Sequence, residues 1–202
     1  HPEVRMAMLT GSSRLAEQPR DLSDLYPRFR GGPPLPIDAL DLDAILTVEP
    51  DAVLLATPHV ASLELAVWFH DRGIRVLDLS AAFRLPDCAL YPAHYEFEHD
   101  RPDLLEAATY GLAELNSAAI RESMLIAVPG CYPTSFLLPV VPLVRAGLID
   151  LLEPAIVDAT SGVSGAGRKP QGHTSFCEVS LQAYGVLSHR HQPEMACHAG
   201  LD

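Results

Sequence analysis

Short runs of apolar residues, each bounded by turn-forming residues, recur along the first two thirds of the chain and predict β-strands. These runs are Val4–Leu9, Ala52–Thr57, Arg75–Ser80 and Met124–Val128. The second run lies between Asp51 and Pro58, and its unbroken apolar character is typical of a strand buried in a parallel sheet.

Between these strands the apolar residues return at helical spacing. The spacing predicts helices over Ile37–Val48, Val60–Arg72 and Glu114–Glu122. Residues 17–36 and 84–108 are predicted to be irregular. Because strands alternate with helices, we expect a doubly wound, Rossmann-type α/β sheet.

The last third of the chain has a different pattern. Pro133–Ile149 is predicted as a helix that Pro139 and Pro142 kink or divide, because proline lacks a backbone N–H. Further strands are predicted at Ala155–Ala159 and around Leu181–Val186.

We place a domain boundary near Gly130, where the pattern changes. The first domain then covers residues 1–130 and the second covers residues 131–202. The chain opens on His1 and runs almost at once into an apolar segment, and its last residues also have no evident end signal. We therefore expect both domains to be incomplete.

Composition and charge exclude several classes of protein. A hydrophobic fraction of 48% with 20% charged residues is globular rather than disordered. The net charge of −12 disfavours nucleic acid and anionic lipid as partners. The single lysine, Lys169, does not belong to a phosphate-binding P-loop, and no apolar run reaches the roughly 18 residues of a membrane span. Four scattered cysteines without a Cys-x-x-Cys pair predict reduced thiols in a cytoplasmic protein.

The segment Pro129–Thr134 (PGCYPT) carries the clearest chemical signal. Cys131 follows a predicted buried strand and precedes a predicted helix, so it would lie at the positive end of a helix dipole. A thiol in that place becomes a nucleophilic thiolate more readily. The alternative is a buried, inert cysteine.

Two further clusters contain polar residues that suit ligand binding. His189–Glu194 (HRHQPE) would pair a general base with an anion-binding arginine, or else form a solvated turn before a helix. Ser161–Lys169 (SGVSGAGRK) combines hydroxyls and glycines that allow close backbone approach to a ligand, or else forms a flexible surface loop.

A fourth cluster, Asp78–Arg84, follows a predicted strand at the sheet edge where α/β proteins bind ligands. Arg84 would bind a phosphate or carboxylate there, or else be an ordinary surface arginine. His189, His191, Cys197 and His198 lie close in sequence but lack the spacing of a zinc site, so we expect no metal.

Together these clusters resemble the N-acetyl-gamma-glutamyl-phosphate reductase family of arginine biosynthesis, which is related in fold and chemistry to the aspartate-semialdehyde and glyceraldehyde-phosphate dehydrogenases. The resemblance covers nearly the whole chain. It is carried by Asp78–Arg84, Tyr110–Asn116, Pro129–Thr134, Ser161–Lys169 and His189–Glu194.

The resemblance implies an NADPH-dependent reduction of an acyl phosphate through a cysteine thioester. Cys131 would be the nucleophile and His191 the acid and base, with His189 as the other candidate for that role. The implied substrate-binding residues are Arg84, Asn116, Ser161, His189 and Arg190. The implied NADP(H)-binding residues are Ser12, Ser13, Arg14, Ser164 and Gly165.

The resemblance also implies a dinucleotide-binding first domain, an α+β substrate domain and a homo-oligomer, a dimer or tetramer. The chain departs from the family because a first strand and Gly-rich turn are absent from its beginning and a C-terminal segment from its end. Two alternatives stay open: a related reductase of aspartyl or aminoadipyl phosphate, or a non-catalytic truncated remnant. We also expect these 202 residues alone to be inactive and only marginally stable.

Overall fold

The computed structural model describes residues 3–12, 20–149, 153–167, 171–178 and 180–201. The chain forms two compact units that divide between Val53 and Leu54. In the described ranges no helix is long and apolar enough to cross a bilayer.

The first unit is built on a three-stranded sheet in the order β1-β3-β2. The strands are β1 (Thr10–Gly11), β2 (Arg20–Asp21) and β3 (Pro36–Ala39). β1 is parallel to β3, whereas β2 is antiparallel to it. The helical elements are α1 (Leu22–Leu25), the 3-10 helix Pro27–Phe29 and α2 (Leu42–Thr47).

Three predictions in this unit are wrong. The first strand is Thr10–Gly11 rather than Val4–Leu9. The predicted helix Ile37–Val48 divides, because Ile37 lies in β3 between two partner strands and is buried there. α2 then begins after Asp41, whose carboxylate accepts hydrogen bonds from the backbone N–H groups of two following residues at 3.0 Å each. The predicted irregular segment 17–36 contains β2 and α1.

The second unit contains three strands of a four-stranded sheet in the order β4-β5-β7-β6, and the division between the units falls within β4. The strands are β4 (Ala52–Leu55), β5 (Arg75–Asp78), β6 (Thr109–Tyr110) and β7 (Leu125–Ala127). β5 and β6 both pair with β7 in parallel, with Asp78 and Tyr110 each opposite Ala127. The carboxyl ends of these three strands therefore share one edge.

Helices surround this sheet. They are α3 (His59–His70), α4 (Tyr91–Tyr95), α5 (Pro102–Ala107), α6 (Ala113–Glu122), α7 (Cys131–Arg145) and α8 (Gln192–Ala199). Short 3-10 helices occur at Cys88–Leu90, Val163–Ala166 and Gly172–Thr174. The predicted α/β class is confirmed, as are the strands at β5 and β7 and the helices at α3 and α6.

Two apolar clusters hold the second unit together. α3 packs on β5 through buried residues that include Ala66, Phe69 and Val76. On the other side α7 packs against α8, where Leu137 and Val141 form a cluster with Leu112 and Ala199. The second cluster fixes the helix that begins at Cys131.

α7 is continuous through Pro139 and Pro142, so of the two predicted effects, a kink or a division, the division does not occur. A proline inside a helix costs about 3 kcal/mol or more. The burial of Leu137 and Val141 contributes roughly 1.5–3 kcal/mol for each side chain. Packing against α8 is therefore large enough to offset much of that cost.

Predictions for two other segments are also wrong. Residues 84–108 are not irregular throughout, because α4 and α5 form there with prolines in their first turns, where no helical N–H is lost. Ala155–Ala159 and Leu181–Val186 form no strand in the part of the chain described, which also places no partner strand beside them. Ile156 and Leu181 are 93% and 88% exposed.

Leu137 is fully buried in α7, whereas Leu143 of the same helix is 43% exposed. We expect Leu137→Ala to lower the free energy of unfolding by about 2–5 kcal/mol, because it opens a cavity between α7 and α8. Leu143→Ala should change it by less than about 1 kcal/mol. Urea unfolding of both variants tests this, and equal destabilisation would contradict the packing described.

Candidate active site

A cavity of about 320 Å³ opens at the carboxyl edge of the second sheet. The loops after β5 and β7 form most of its wall, as expected for an open α/β sheet. The lining residues are His59, Leu79, Ser80, Ala81, Arg84, Tyr95, Val128, Pro129, Gly130, Cys131, Arg190 and His191. Residues predicted from three separate segments of the sequence meet in this cavity: Cys131, Arg84 and the pair Arg190 and His191.

Cys131 is the first residue of α7 and is exposed at the cavity. Its exposure excludes the alternative of a buried, inert thiol. Gly130 precedes it in an extended conformation and caps the helix, and its carbonyl accepts hydrogen bonds from the backbone N–H and hydroxyl of Thr134 at 2.9 and 2.8 Å.

Gly130 is a glycine because no side chain fits in its place. A Cβ atom there would lie 2.8 Å from His191 Nε2 and 3.0 Å from Arg84 Nη1. The backbone at Gly130 therefore lies close to the imidazole and the guanidinium. Any larger residue would push one of these groups away.

Arg84 is buried, which excludes the alternative of an ordinary surface arginine. Its Nε donates to the carbonyl of Val128 at 2.8 Å, and its Nη2 donates to the carbonyl of Leu79 at 2.7 Å. These carbonyls belong to the loops after β7 and β5. The guanidinium therefore ties together the two loops that form the cavity wall.

His191 precedes α8 and is 6% exposed. Burial, together with the positive charges of the nearby His189, Arg84 and Arg190, lowers its pKa to about 3. The imidazole is therefore neutral at physiological pH. Its Nδ1 is buried and has no hydrogen-bond partner within the described residues.

His189 lies beside this ring, with ring centroids 5.0 Å apart, and its Nδ1 accepts the backbone N–H of His191 at 3.2 Å. Burial and the charge of Arg190 lower the pKa of His189 as well. Its ring also packs edge-on against Tyr132 and Tyr184, whose hydroxyls share a hydrogen bond of 2.8 Å.

Glu194 is completely buried in the first turn of α8. Its Oε1 accepts hydrogen bonds from the Gly130 N–H at 2.9 Å and from the Tyr110 hydroxyl at 2.8 Å. Its Oε2 lies 3.5 Å from Arg84 Nη1. Burial and the neighbouring carboxylate raise the pKa of Tyr110 far above its usual range, so its hydroxyl remains a donor.

The remaining predicted contacts lie outside the cavity lining. Asn116 donates through Nδ2 to the carbonyl of Tyr110 at 2.9 Å. Ser161 is exposed, as are Ser164 and Gly165 in the 3-10 helix Val163–Ala166. Ser12 is exposed after β1 in the first unit, and residues 13 and 14, the predicted Ser13 and Arg14 contacts, lie outside the described residues.

Sequence reasoning did not predict that His59 and Tyr95 line the cavity, or that Glu194 bonds to Tyr110 and Gly130 beside it. Glu194 and Tyr110 stood inside noted motifs, but their contacts span 64 and 84 residues and leave no local pattern. His59 had a usable signal, because it follows β4 at the same edge of the sheet. The described residues contain no group of three or more His, Cys, Asp or Glu side chains able to hold a metal ion.

Comparison with known families agrees with this architecture. Residues 1–123 match the profile described as "Semialdehyde dehydrogenase, NAD binding domain", and residues 131–201 match "Semialdehyde dehydrogenase, dimerisation domain". The chain belongs to the semialdehyde dehydrogenase family. Its Rossmann-type α/β sheet is consistent with the NAD-binding domain of that family.

Relatives within the semialdehyde dehydrogenase family confirm the resemblance seen in the motifs. The chain is 47% identical over 202 residues to the N-acetyl-gamma-glutamyl-phosphate reductases of Escherichia coli (strain K12) and of Salmonella typhi, covering 100% of this chain and 60% of each relative. It is 51% identical over 193 residues to the enzyme of that name from Shewanella frigidimarina, covering 94% and 57%. The chain spans about 60% of the length of the curated relatives it matches.

The low pKa of His191 predicts a pH-dependent stability. Its pKa is about 3 in the folded protein against 6.5 ordinarily, so between these values the unfolded chain binds more protons. Stability should decline as the pH falls through this window, by up to about 1.4 kcal/mol per pH unit from this ring. His191→Asn removes the ring and should flatten the slope, measured as denaturant midpoints between about pH 7 and 4. An unchanged slope would show that His191 is not the group responsible.

Proposed function

We propose that this protein reduces N-acetyl-glutamyl 5-phosphate to N-acetyl-glutamate 5-semialdehyde with NADPH, through a thioester on Cys131, as a cytoplasmic enzyme of arginine biosynthesis. The observation that carries the proposal is the meeting of the exposed Cys131 and the neutral His191 in one cavity at the sheet edge. The names of the relatives support the choice of substrate.

The first chemical step belongs to Cys131. His191 accepts the thiol proton, and the sulfur attacks the acyl carbon of the substrate. A C–S bond forms and the bond from that carbon to the phosphate oxygen breaks, so phosphate leaves with the electron pair. The product is a thioester, which is a good hydride acceptor.

A nicotinamide cofactor fits this arrangement. The cavity lies where open α/β sheets bind ligands, and its volume of about 320 Å³ is within the range of small-molecule pockets. If bound there, a nicotinamide would supply the hydride for reduction of the thioester to the aldehyde, and Cys131 would leave as the thiolate when its C–S bond breaks. Ser12, Ser13, Arg14, Ser164 and Gly165 are the residues we propose as contacts for NADP(H).

Arg190 is the side chain we propose to bind the anionic part of the substrate. It is exposed and lines the cavity, whereas two arms of the Arg84 guanidinium already donate to backbone carbonyls. Arg84 keeps a proposed contact through Nη1. Asn116, Ser161 and His189 are retained as proposed substrate residues.

We also propose that the protein is a homo-oligomer with a domain boundary near Gly130. The match of residues 131–201 to a dimerisation domain supports the proposed homo-oligomer.

The proposed substrate is tested against the substrates of the two related reductases, aspartyl phosphate and aminoadipyl phosphate. NADPH oxidation by the full-length gene product is compared with all three acyl phosphates, and a preference for either of the others would overturn the proposed substrate.

Cys131→Ser should lower the rate by roughly a thousandfold or more, because a serine hydroxyl forms its anion far less readily than a thiol. Cys177→Ser is the matched control, since Cys177 is also exposed but does not line the cavity, and it should retain most of the activity. The rates are measured as NADPH oxidation. A Cys131→Ser enzyme of near-normal rate would rule out the covalent mechanism.

Arg190→Gln should raise KM for the acyl phosphate about tenfold or more, because a hydrogen bond to a charged group contributes roughly 1.5–3 kcal/mol. The turnover number and KM for NADPH should change by less than about twofold. Arg145→Gln, in the exposed last turn of α7, serves as the control. Equal KM values for the two variants would remove Arg190 from the binding site.

A further inference from the structure

The buried carboxylate of Glu194 joins the two segments that carry the proposed chemistry. It lies three residues after His191, and its Oε1 accepts the N–H of Gly130, the residue before Cys131, at 2.9 Å. A fully buried carboxylate is destabilising unless every side of it is paired. The partners of Glu194 therefore determine where the Gly130–Cys131 turn lies relative to the His191 imidazole.

The space between Gly130 and the His191 ring is small. A Cβ on Gly130 would already lie 2.8 Å from His191 Nε2, so turn and ring are in close contact. A shift of Glu194 would move the Gly130 N–H with it, and thus the first residue of α7. Small displacements of reacting groups have large effects on rate.

Tyr110 is the second donor to the same oxygen, at 2.8 Å. Two further contacts hold this residue, one with α8 itself and one with α6. Its ring stacks on His198 with centroids 3.4 Å apart, and its carbonyl accepts from Asn116 Nδ2 at 2.9 Å. Tyr110 is not part of the cavity lining, so it has no direct contact with a ligand there.

We propose that Tyr110 is a positioning residue, which acts through Glu194 to hold the Gly130–Cys131 turn against His191. The ring stack and the Asn116 contact fix the tyrosine, the tyrosine hydroxyl fixes Oε1, and Oε1 fixes the Gly130 N–H. The inference deepens the proposed function and uses it for one of the two measurements below.

The test uses Tyr110→Phe, Glu194→Gln and the double variant in the full-length gene product. Tyr110→Phe keeps the ring and removes only the hydroxyl. It should lower kcat about tenfold or more, the effect of a lost hydrogen bond to a charged group, with both KM values within about twofold. Because Tyr110 acts through Glu194, the double variant should be no slower than Glu194→Gln alone.

Tyr91→Phe is the matched control. Tyr91 is fully buried, whereas Tyr110 is partly buried, and within the described residues the Tyr91 hydroxyl bonds to the backbone of Leu85, accepting at 3.0 Å and donating at 3.1 Å. This variant should show a loss of thermal stability without a loss of kcat. Its loss of unfolding free energy should add to that of Glu194→Gln.

A second measurement does not need the proposed reaction. The rate at which iodoacetamide alkylates Cys131, followed by mass spectrometry of its peptide, should fall at least threefold in Tyr110→Phe. The exposed Cys177 in the same molecules is the internal control and should react at an unchanged rate.

The outcomes separate the two ideas. If no acyl phosphate is reduced but alkylation of Cys131 slows in Tyr110→Phe, the proposed function fails and the positioning role stands. Unchanged alkylation and unchanged kcat overturn the positioning role. So does a double variant whose kcat loss is the product of the two single losses.

Discussion

A carboxylate without access to water has to be neutralised by the groups around it, and the site geometry follows from how Glu194 meets that requirement. Its neighbours are a backbone N–H from the start of α7, a hydroxyl from the end of β6 and a guanidinium from the loop after β5. Each comes from a different part of the second unit. Unpaired, the buried charge would destabilise the fold by several kcal/mol, so stability and the geometry of the site depend on the same contacts.

Arg84 extends this constraint to the sheet. It faces Glu194 on one side and donates to the carbonyls of Leu79 and Val128 on the other. These loops leave parallel strands at one edge, where backbone groups would otherwise lack partners. One guanidinium thus donates to two backbone carbonyls and forms an ion pair with one buried carboxylate, so it connects both loops of the cavity wall to α8.

The sequence was informative where structure is determined locally. Strands such as Arg75–Asp78 and Leu125–Ala127 were predictable from short runs rich in apolar residues, and the position of Cys131 at the start of a helix from the strand and helix predicted on either side of it. The helix predicted over Ile37–Val48 was wrong because the strand conformation of Ile37 depends on partners in β1 and β2. The strands predicted near residues 155 and 181 were wrong because apolar character alone does not supply a partner.

The same distinction holds for the site. Motifs indicated that Cys131, Arg84 and His191 matter, but no local pattern shows that Gly130 touches His191 or that Tyr110 reaches a carboxylate 84 residues away. Nor does sequence show that Arg84 is mainly engaged with the protein itself. Such facts arise from packing, and only the assembled structure contains them.

The two prolines of α7 have a consequence for the order in which the site forms. Pro139 and Pro142 lack the N–H groups that would bond to the carbonyls four residues before them, so two backbone hydrogen bonds of the helix are missing. Alone in water this segment would form a helix poorly. Its burial against α8 supplies stability that its own backbone hydrogen bonds do not. α7 begins at Cys131 and α8 follows directly after His191. The thiol and the imidazole are therefore brought together when α7 and α8 pack, and a chain in which α8 has not docked lacks the contacts that support α7.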